Sequence, residues 1–365
     1  MNQQRPPNLG PQALSSPRNF SRRNFLKTSA LAAGGVLVFS GCTSQTNKPL
    51  IEILHIPKSF SRRAGELTAN VSGRYNRELS ELKYRTNDSN WITFSPRGSR
   101  MPAPFFTVEM RADDLKAGGN TLTIEATPKR GGNQTMELTF DYQPTPISLP
   151  TTVDWSQSDQ LDVQDGYWEI LSADGTSRLR PVPGTEDYDR LVNVTGSFPG
   201  GRRVETELIL RSHHQERLYG FGVIPMWGGH PDEVGVSPRR GWNFAIAWYY
   251  SAYKGIGAEF SLKEGDGDSN WVSSYRNFKH ENGVPYRLIA ECVPEIDSEG
   301  NHLRYAQRIK WFTAGEPEPS EWLEVIDTEG IALPVGEYAV AIVAHRCQVE
   351  FGPVTVSALE PVTVS

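Results

Sequence analysis

The chain has 365 residues, with 37 Lys plus Arg, 43 Asp plus Glu, 38 % hydrophobic and 10 % aromatic residues. Residues 1–42 hold five of the basic residues and no acid, so the remainder carries 32 basic and 43 acidic residues, a net charge of −11. That balance argues against nucleic acid as a partner, because phosphates need clustered Lys and Arg, and the apolar content excludes a disordered chain. The length after residue 42 exceeds one small core, so two domains are expected. The 33 Gly and 26 Pro suit a turn-rich all-β protein.

The first segment reads as an address. Ser21-Arg22-Arg23-Asn24-Phe25-Leu26-Lys27 has the form of a twin-arginine export signal. An uncharged apolar stretch, Ala30 to Phe39, follows. It is shorter than the ~20 residues that a membrane-spanning helix needs. It ends in Phe39-Ser40-Gly41-Cys42, a lipobox whose Cys42 would take a diacylglycerol. The expectation is a signal peptide over 1–42, export by the twin-arginine route, and anchoring in the cell envelope, periplasmic or at the cell surface, through lipid on Cys42. Residues 43–49 then form a polar tether. Two further cysteines remain, Cys292 and Cys347, both in apolar strand-like runs. They are either buried thiols or a disulfide. They do not make a zinc site without clustered His.

Residues 50–143 alternate short period-2 runs with turn signals. In Leu122-Thr123-Ile124-Glu125-Ala126 the apolar side chains fall on one face. Six or seven such strands in this length predict an immunoglobulin-like β-sandwich, without the Cys-Trp-Cys core of antibody domains. Asp114-Leu115, Gly118 and Asn120-Thr-Leu resemble the closing hairpin of bacterial immunoglobulin-like modules. Residues 144–150, with three prolines, predict a semi-rigid linker. The first sandwich is thus expected to act as a spacer.

Residues 151–365 are again strand-rich, with no long 3.6-residue period. In Arg304–Phe312 alternation puts Tyr305, Ile309 and Trp311 on one face and Arg304, Arg308 and Lys310 on the other. Tyr338–Ala344 is apolar on both faces, which predicts a mid-sheet strand covered twice. A two-sheet jelly roll is the natural architecture.

The segment carries a series of motifs: Val153-Asp154-Trp155, Gly166-Tyr-Trp168, Tyr188-Asp189-Arg190-Leu191, Val204-Glu205-Thr-Glu207 and Gly220-Phe-Gly222. Trp227-Gly-Gly-His230, Pro238-Arg239-Arg240-Gly241-Trp242, Ala247-Trp248-Tyr249, Glu316-Pro-Glu318-Pro319 with Trp322, Ala344-His345 and Phe351-Gly352 continue it. In these the segment resembles the concanavalin A-like lectin/glucanase superfamily, in particular exported bacterial members in which such a domain follows an immunoglobulin-like one. The resemblance implies an all-β chain, an immunoglobulin-like sandwich followed by a concanavalin A-like jelly roll. It does not imply an activity, because the superfamily holds lectins, glycosidases, lyases and silent modules.

Retaining glucanases of this superfamily carry three carboxylates on one strand face, and their chemistry needs two about 5.5 Å apart. Glu295-Ile-Asp297-Ser-Glu299 has the spacing, but Gly300-Asn301 makes it a hairpin tip. Glu205 and Glu207 share a face with no Asp to complete them, and read as the solvent face of an edge strand. A lyase would need a base and a cation to neutralise a uronate. His230, Arg239 or Arg240, and Tyr249 or Tyr250 could supply these, against the plainer reading of a capped loop and solvated ion pairs.

Sugar rings stack on aromatics while Arg, His and Asp meet their hydroxyls. Residues 226–250 concentrate such groups, and Trp227, His230, Arg239, Arg240, Trp242 and Tyr249 are the candidate ligand-binding residues. Alternation through Phe244–Tyr250 sets Phe244, Ile246, Trp248 and Tyr250 against Ala245, Ala247 and Tyr249. Trp248 is expected in the core and Tyr249 on the concave surface. No cofactor and no catalytic residue is assigned. Calcium at Glu264-Gly-Asp266-Gly-Asp268-Ser-Asn270 is weighed against a polar hairpin and left aside. The expected function is non-catalytic binding of a polysaccharide. A polysaccharide-degrading enzyme, lyase before hydrolase, and a ligand-free structural envelope protein are the alternatives.

Overall fold

The computed structural model describes residues 49–76, 78–94, 104–173, 175–186, 188–215, 217–230, 237, 239, 241–252, 255–263, 271–277, 279–326 and 336–364. Arg22, Arg23, Cys42, Arg240 and the 264–270 motif lie outside the described residues. Among the described residues the chain is all-β, with two single-turn 3-10 helices and no α-helix.

The first part holds β1 (Ile51–His55), β2 (Ser59–Ser61), β3 (Ala69–Tyr75), β4 (Leu79–Thr86), β5 (Ile92–Phe94), β6 (Phe105–Met110), β7 (Gly118–Pro128) and β8 (Gln134–Gln143). They form a three-stranded sheet, β1-β3-β6, and a five-stranded sheet, β2-β8-β7-β4-β5. In β8 Leu138, Phe140 and Tyr142 point inward while the residues between them are exposed. This alternation drives the sheets together around Phe60, Leu82, Phe106, Leu122 and Ile124, all fully buried.

The second part holds β9 (Thr151–Val153), β10 (Asp162–Asp165), β11 (Trp168–Ala173), β12 (Thr176–Pro181), β13 (Arg190–Asn193), β14 (Gly201–His213), β15 (Gly220–Trp227) and β16 (Phe244–Ala252). It continues with β17 (Gly255–Lys263), β18 (Trp271–Asn277), β19 (Pro285–Ile296), β20 (His302–Thr313), β21 (Glu324–Ile326), β22 (Ala339–His345), β23 (Cys347–Leu359) and β24 (Val362–Thr363). One sheet of seven strands runs β10-β13-β22-β15-β16-β17-β18. The other, of nine, runs β11-β12-β23-β14-β19-β20-β21, with β9 beside β23 and β24 beside β19. The two sheets stack around one core that takes residues from both, including Phe221, Tyr249, Leu288, Trp311 and Ile342.

The mid-sheet expectation for Tyr338–Ala344 agrees with the structure. β22 lies between β13 and β15, and all seven of its residues are buried. Val340, Ile342 and Ala344 enter the inter-sheet core, and Ala339, Ala341 and Val343 enter a second apolar cluster on the outer face. Tyr305, Ile309 and Trp311 of β20 also face the core. Arg308 and Lys310 pair with Glu291 and Glu318 on the other side. Cys292 and Cys347 are both free and buried in the core, which decides between the two cysteine readings.

Two expectations need correction. Glu205 and Glu207 do sit on an outer face, but β14 is central, between β23 and β19. What keeps the carboxylates there is pairing: Glu205 with Arg203 and Arg287, and Glu207 with Arg178. The two sandwiches also pack on one another. Arg63 forms a buried ion pair with Asp162, whose carboxylate also accepts from Asn193 and Gln164. Asn70 donates to the carbonyl of Gln164, and Glu66 bridges to Gly229. Ile147 and Leu149, from the proline-rich segment, pack on the large core. Apolar residues on the outer face of the seven-stranded sheet need cover, and Leu67 of the first sandwich supplies part of it.

The second correction concerns β16. From Ala245 on its parity is as expected but its direction is reversed, and Phe244, at φ 76°, packs on the inter-sheet core instead of sharing a face with Ile246. Ala245, Ala247 and Tyr249 face the inter-sheet core, and Ile246, Trp248 and Tyr250 face outward. Small Ala245 and Ala247 let the sheets approach, while Tyr249 packs against Phe221 and Trp311.

Candidate functional site

The outer face of the seven-stranded sheet gathers chemistry from four neighbouring strands, β13, β22, β15 and β16. In the cross-strand rows His345 stands opposite Gly220, which stands opposite Tyr250. One row on, Val343, Gly222 and Trp248 line up in the same way. The two glycines are what shape this surface. A Cβ on Gly220 would come within 2.8 Å of Trp248 Cε3 and 2.9 Å of Tyr250 Cδ2. A Cβ on Gly222 would lie 2.2 Å from the carbonyl oxygen of Ala247. With no side chains there, Trp248 and Tyr250 lean across β15 and stack, centroids 4.5 Å apart and 8° from parallel.

His345 closes the end of this surface. Its ring lies 6.1 Å from Trp248, 6.2 Å from Tyr250 and 4.9 Å from Tyr188. Its Nδ1 is 2.6 Å from Asp189 Oδ1. A carboxylate oxygen only accepts, so Nδ1 carries the proton, and Nε2 presents a lone pair whenever the ring is neutral. His345 and Asp189 are 5 % and 2 % exposed. Nε2 of His345 and Nε1 of Trp248 are both buried without a hydrogen-bond partner. One is an acceptor and the other a donor. Tyr188 and Tyr250 are half-buried and form the side open to solvent. The guanidinium of Arg346, next in the chain, sits 5.4 Å from the Tyr188 ring.

The structure divides the residues expected to bind ligand. Trp227 and Trp242 belong to the outer apolar cluster with Leu67, Ile246 and Trp248, and are 0 % and 5 % exposed. His230 lies beside Trp227, ring centroids 5.3 Å apart, and donates from Nδ1 to the carbonyl of Gly241 at 2.7 Å. Burial pushes its pKa down to about 4. Arg239 faces the first sandwich, 3.4 Å from Glu66 Oε2 and 3.6 Å from Glu109 Oε2. Tyr249 is on the opposite side of the sheet, fully buried. The Asp297 hairpin tip is closed by hydrogen bonds from Asn301 and Glu299, which hold its carboxyl below the usual range. Among the described residues no group of three or more His, Cys, Asp or Glu could hold a metal.

Asp189, His345, Tyr188, Trp248 and Tyr250 were not among the expected binding residues. Asp189 and His345 are 156 residues apart, so only the β13-β22 pairing unites them. The sequence did mark Tyr188-Asp189, Trp248 and His345 as parts of the motif series, and Gly220-Phe-Gly222 is a pair of glycines spaced to clear one face of a strand, but neither pattern shows that these residues meet.

No protein-family model matches the chain, and no curated protein matches it. Among solved structures it is similar to the Emp46p carbohydrate recognition domain in its metal-free form, at 12 % identity and a TM-score of 0.35 over 53 % of this chain and 88 % of that one. It is similar to the carbohydrate-binding module CBM66 from Bacillus subtilis at 10 % identity and a TM-score of 0.34, over 54 % of this chain and 95 % of that one. A legume lectin-like domain from Entamoeba histolytica gives 9 % identity and a TM-score of 0.34, over 53 % and 90 % of the two chains.

Proposed function

We propose that this is an exported envelope protein, lipid-anchored through Cys42, which binds a polysaccharide on the outer face of its seven-stranded sheet. The carrying observation is the pair of unpartnered buried atoms, His345 Nε2 and Trp248 Nε1, beside the Trp248–Tyr250 stack. Unpaired buried polar groups are costly and call for a partner. A sugar hydroxyl donates to Nε2, and a ring or hydroxyl oxygen accepts from the indole N–H. The half-buried rings of Tyr188 and Tyr250 offer apolar faces for sugar C–H groups.

A second reading rests on the same histidine. An imidazole oriented by a carboxylate, with Nε2 bare, is how a general base is built. With Tyr188 or Tyr250 as proton donor it would suit elimination from a uronate polymer rather than hydrolysis.

Both readings are tested by applying the chain without its first 42 residues to a polysaccharide panel, scoring retention and product release together. Retention without new reducing ends or unsaturated-uronate absorbance, lost in Tyr250→Ala and His345→Ala, supports binding. Unsaturated product abolished by His345→Ala replaces it with the lyase. Retention unchanged in both variants removes this face as the site.

A further inference from the structure

Arg202 opens β14 and is fully buried between the two sheets. Its Nη1 donates to the carbonyl of Tyr338 at 2.8 Å, and its Nη2 to those of Gly200 at 2.6 Å and Phe198 at 3.3 Å. Its guanidinium carbon sits 4.2 Å from the Phe198 ring centroid. No carboxylate pairs with it among the described residues. The nearby acids Glu205 and Glu291 are on the far face of the nine-stranded sheet, held by Arg203, Arg287 and Arg308. Burial pushes the Arg202 pKa down to about 10, still far above neutrality, so the charge stays. Its Nε is buried without a partner.

A second orphan stands two strands away. Arg202 is opposite Cys292 on β19, and Cys292 is opposite Gln307 on β20. Gln307 is fully buried, and both its amide oxygen and its amide nitrogen lack partners. Across this row the two long side chains flank a short one, their Cα atoms about 9.6 Å apart at ordinary strand spacing. The Nε–H of Arg202, the NH2 of Gln307 and the weak S–H donor of Cys292 fall along this row, and the Tyr305 and Tyr338 side chains interact electrostatically with the same guanidinium. A buried guanidinium with no carboxylate partner, flanked by a second unsatisfied donor, is a setting for an anion, and a crystal that shows only water there is the competing outcome.

We infer that a small monovalent inorganic anion, of the size and charge of chloride, is held between Arg202 and Gln307 inside the large sandwich. It balances the guanidinium and joins the strands β14, β19 and β20 at one end of the core. This site is independent of the outer-face surface proposed for glycans.

The test is thermal unfolding of the chain without its first 42 residues in sodium chloride and in sodium gluconate at matched ionic strength. The expected result is a saturating rise in Tm in chloride, ~5 °C beyond the gluconate curve. Bromide soaked into crystals should give an anomalous peak beside Arg202. Arg202→Met should lose the chloride-specific rise. Should that variant fail to fold, Gln307→Leu keeps the guanidinium and should lose most of the rise. Coincident chloride and gluconate curves overturn the proposal. So does a chloride response unchanged in Gln307→Leu, or a crystal in which only water lies between the two residues.

Discussion

The indole of Trp248 occupies the space that a side chain on Gly220 would fill, with Cε3 only 2.8 Å from where the Cβ would be. The facing strand has thus given up a side chain so that a stacked Trp–Tyr pair can lie against it and reach His345.

Gly220→Val should therefore disrupt the proposed glycan surface directly. The clash is with ring atoms, which move more readily than backbone, so the cost should be that of overpacking, about 1–3 kcal/mol. Retention on the best polysaccharide should fall at least tenfold while the chain stays folded. A chemical denaturation curve and a retention assay on the same preparation check both parts. Full retention in the folded variant would show that the stack is not needed.

Asp189→Ala should leave the Nδ1–H of His345 buried without an acceptor. That costs about 1–3 kcal/mol in stability and frees the ring to rotate. Asp189→Asn keeps an acceptor and should restore most of the stability. Comparing the two by urea unfolding tests whether the 2.6 Å contact orients the ring. Equal stabilities for the two variants would argue that it does not.

The Arg63–Asp162 pair ties the two sandwiches, with side chains 0 % and 10 % exposed. Arg63→Met strands a buried carboxylate, a loss of about 3–5 kcal/mol, moderated by the bonds Asp162 keeps from Asn193 and Gln164. Calorimetry should show one cooperative transition for the parent chain. In the variant the transition should be lower or split. Unchanged melting would mean that the contact between the sandwiches does not couple their unfolding.

Mild acid should destabilise the protein through its buried histidines. Burial lowers His55 and His230 to about 4 and His280 to about 3, against 6.5 in an unfolded chain. Between those values the unfolded state binds the extra protons, so stability is full above 6.5 and declines as pH falls towards 4. Asp165 acts oppositely: burial raises it to about 7, so its protonation on acidification favours the folded state. His302 is lowered as well and Glu109 is raised, so four histidines stand against two carboxylates and set the net direction. The urea midpoint should be lower at pH 5 than at pH 7.5, and His280→Phe should flatten the slope. A midpoint that rises on acidification would reverse this assignment.

Cys292 and Cys347 are buried thiols, and burial raises both above the usual range. Neither should be alkylated by iodoacetamide in the native protein, and both should be in urea. Reductant should leave Tm unchanged. Rapid native labelling of either would place it at the surface.

Much of the architecture was legible because strand alternation is a local property. The period-2 pattern of β20 and the doubly apolar run of β22 each state their position without knowledge of the partner strand. The hairpin at Asp297 and the turn chemistry of the first sandwich are local too. What alternation does not contain is which of two faces is the inside. In β16 Tyr249 and Trp248 are both aromatic, so the pattern separated them but did not orient them. The choice depended on Phe221 and Trp311 receiving Tyr249, and on Leu67 and Trp242 covering the other side.

By itself the sequence determined an all-β chain, its strand-forming segments and an acidic surface, since these follow from composition and from neighbours along the chain. Only the tertiary structure decided that the first sandwich covers the second, and that Asp189 meets His345. The same holds for Arg202 and Gln307, which flank one thiol inside the core. Each of these contacts joins residues tens to hundreds of positions apart, and they are set by strand order and sheet packing, which no local pattern encodes.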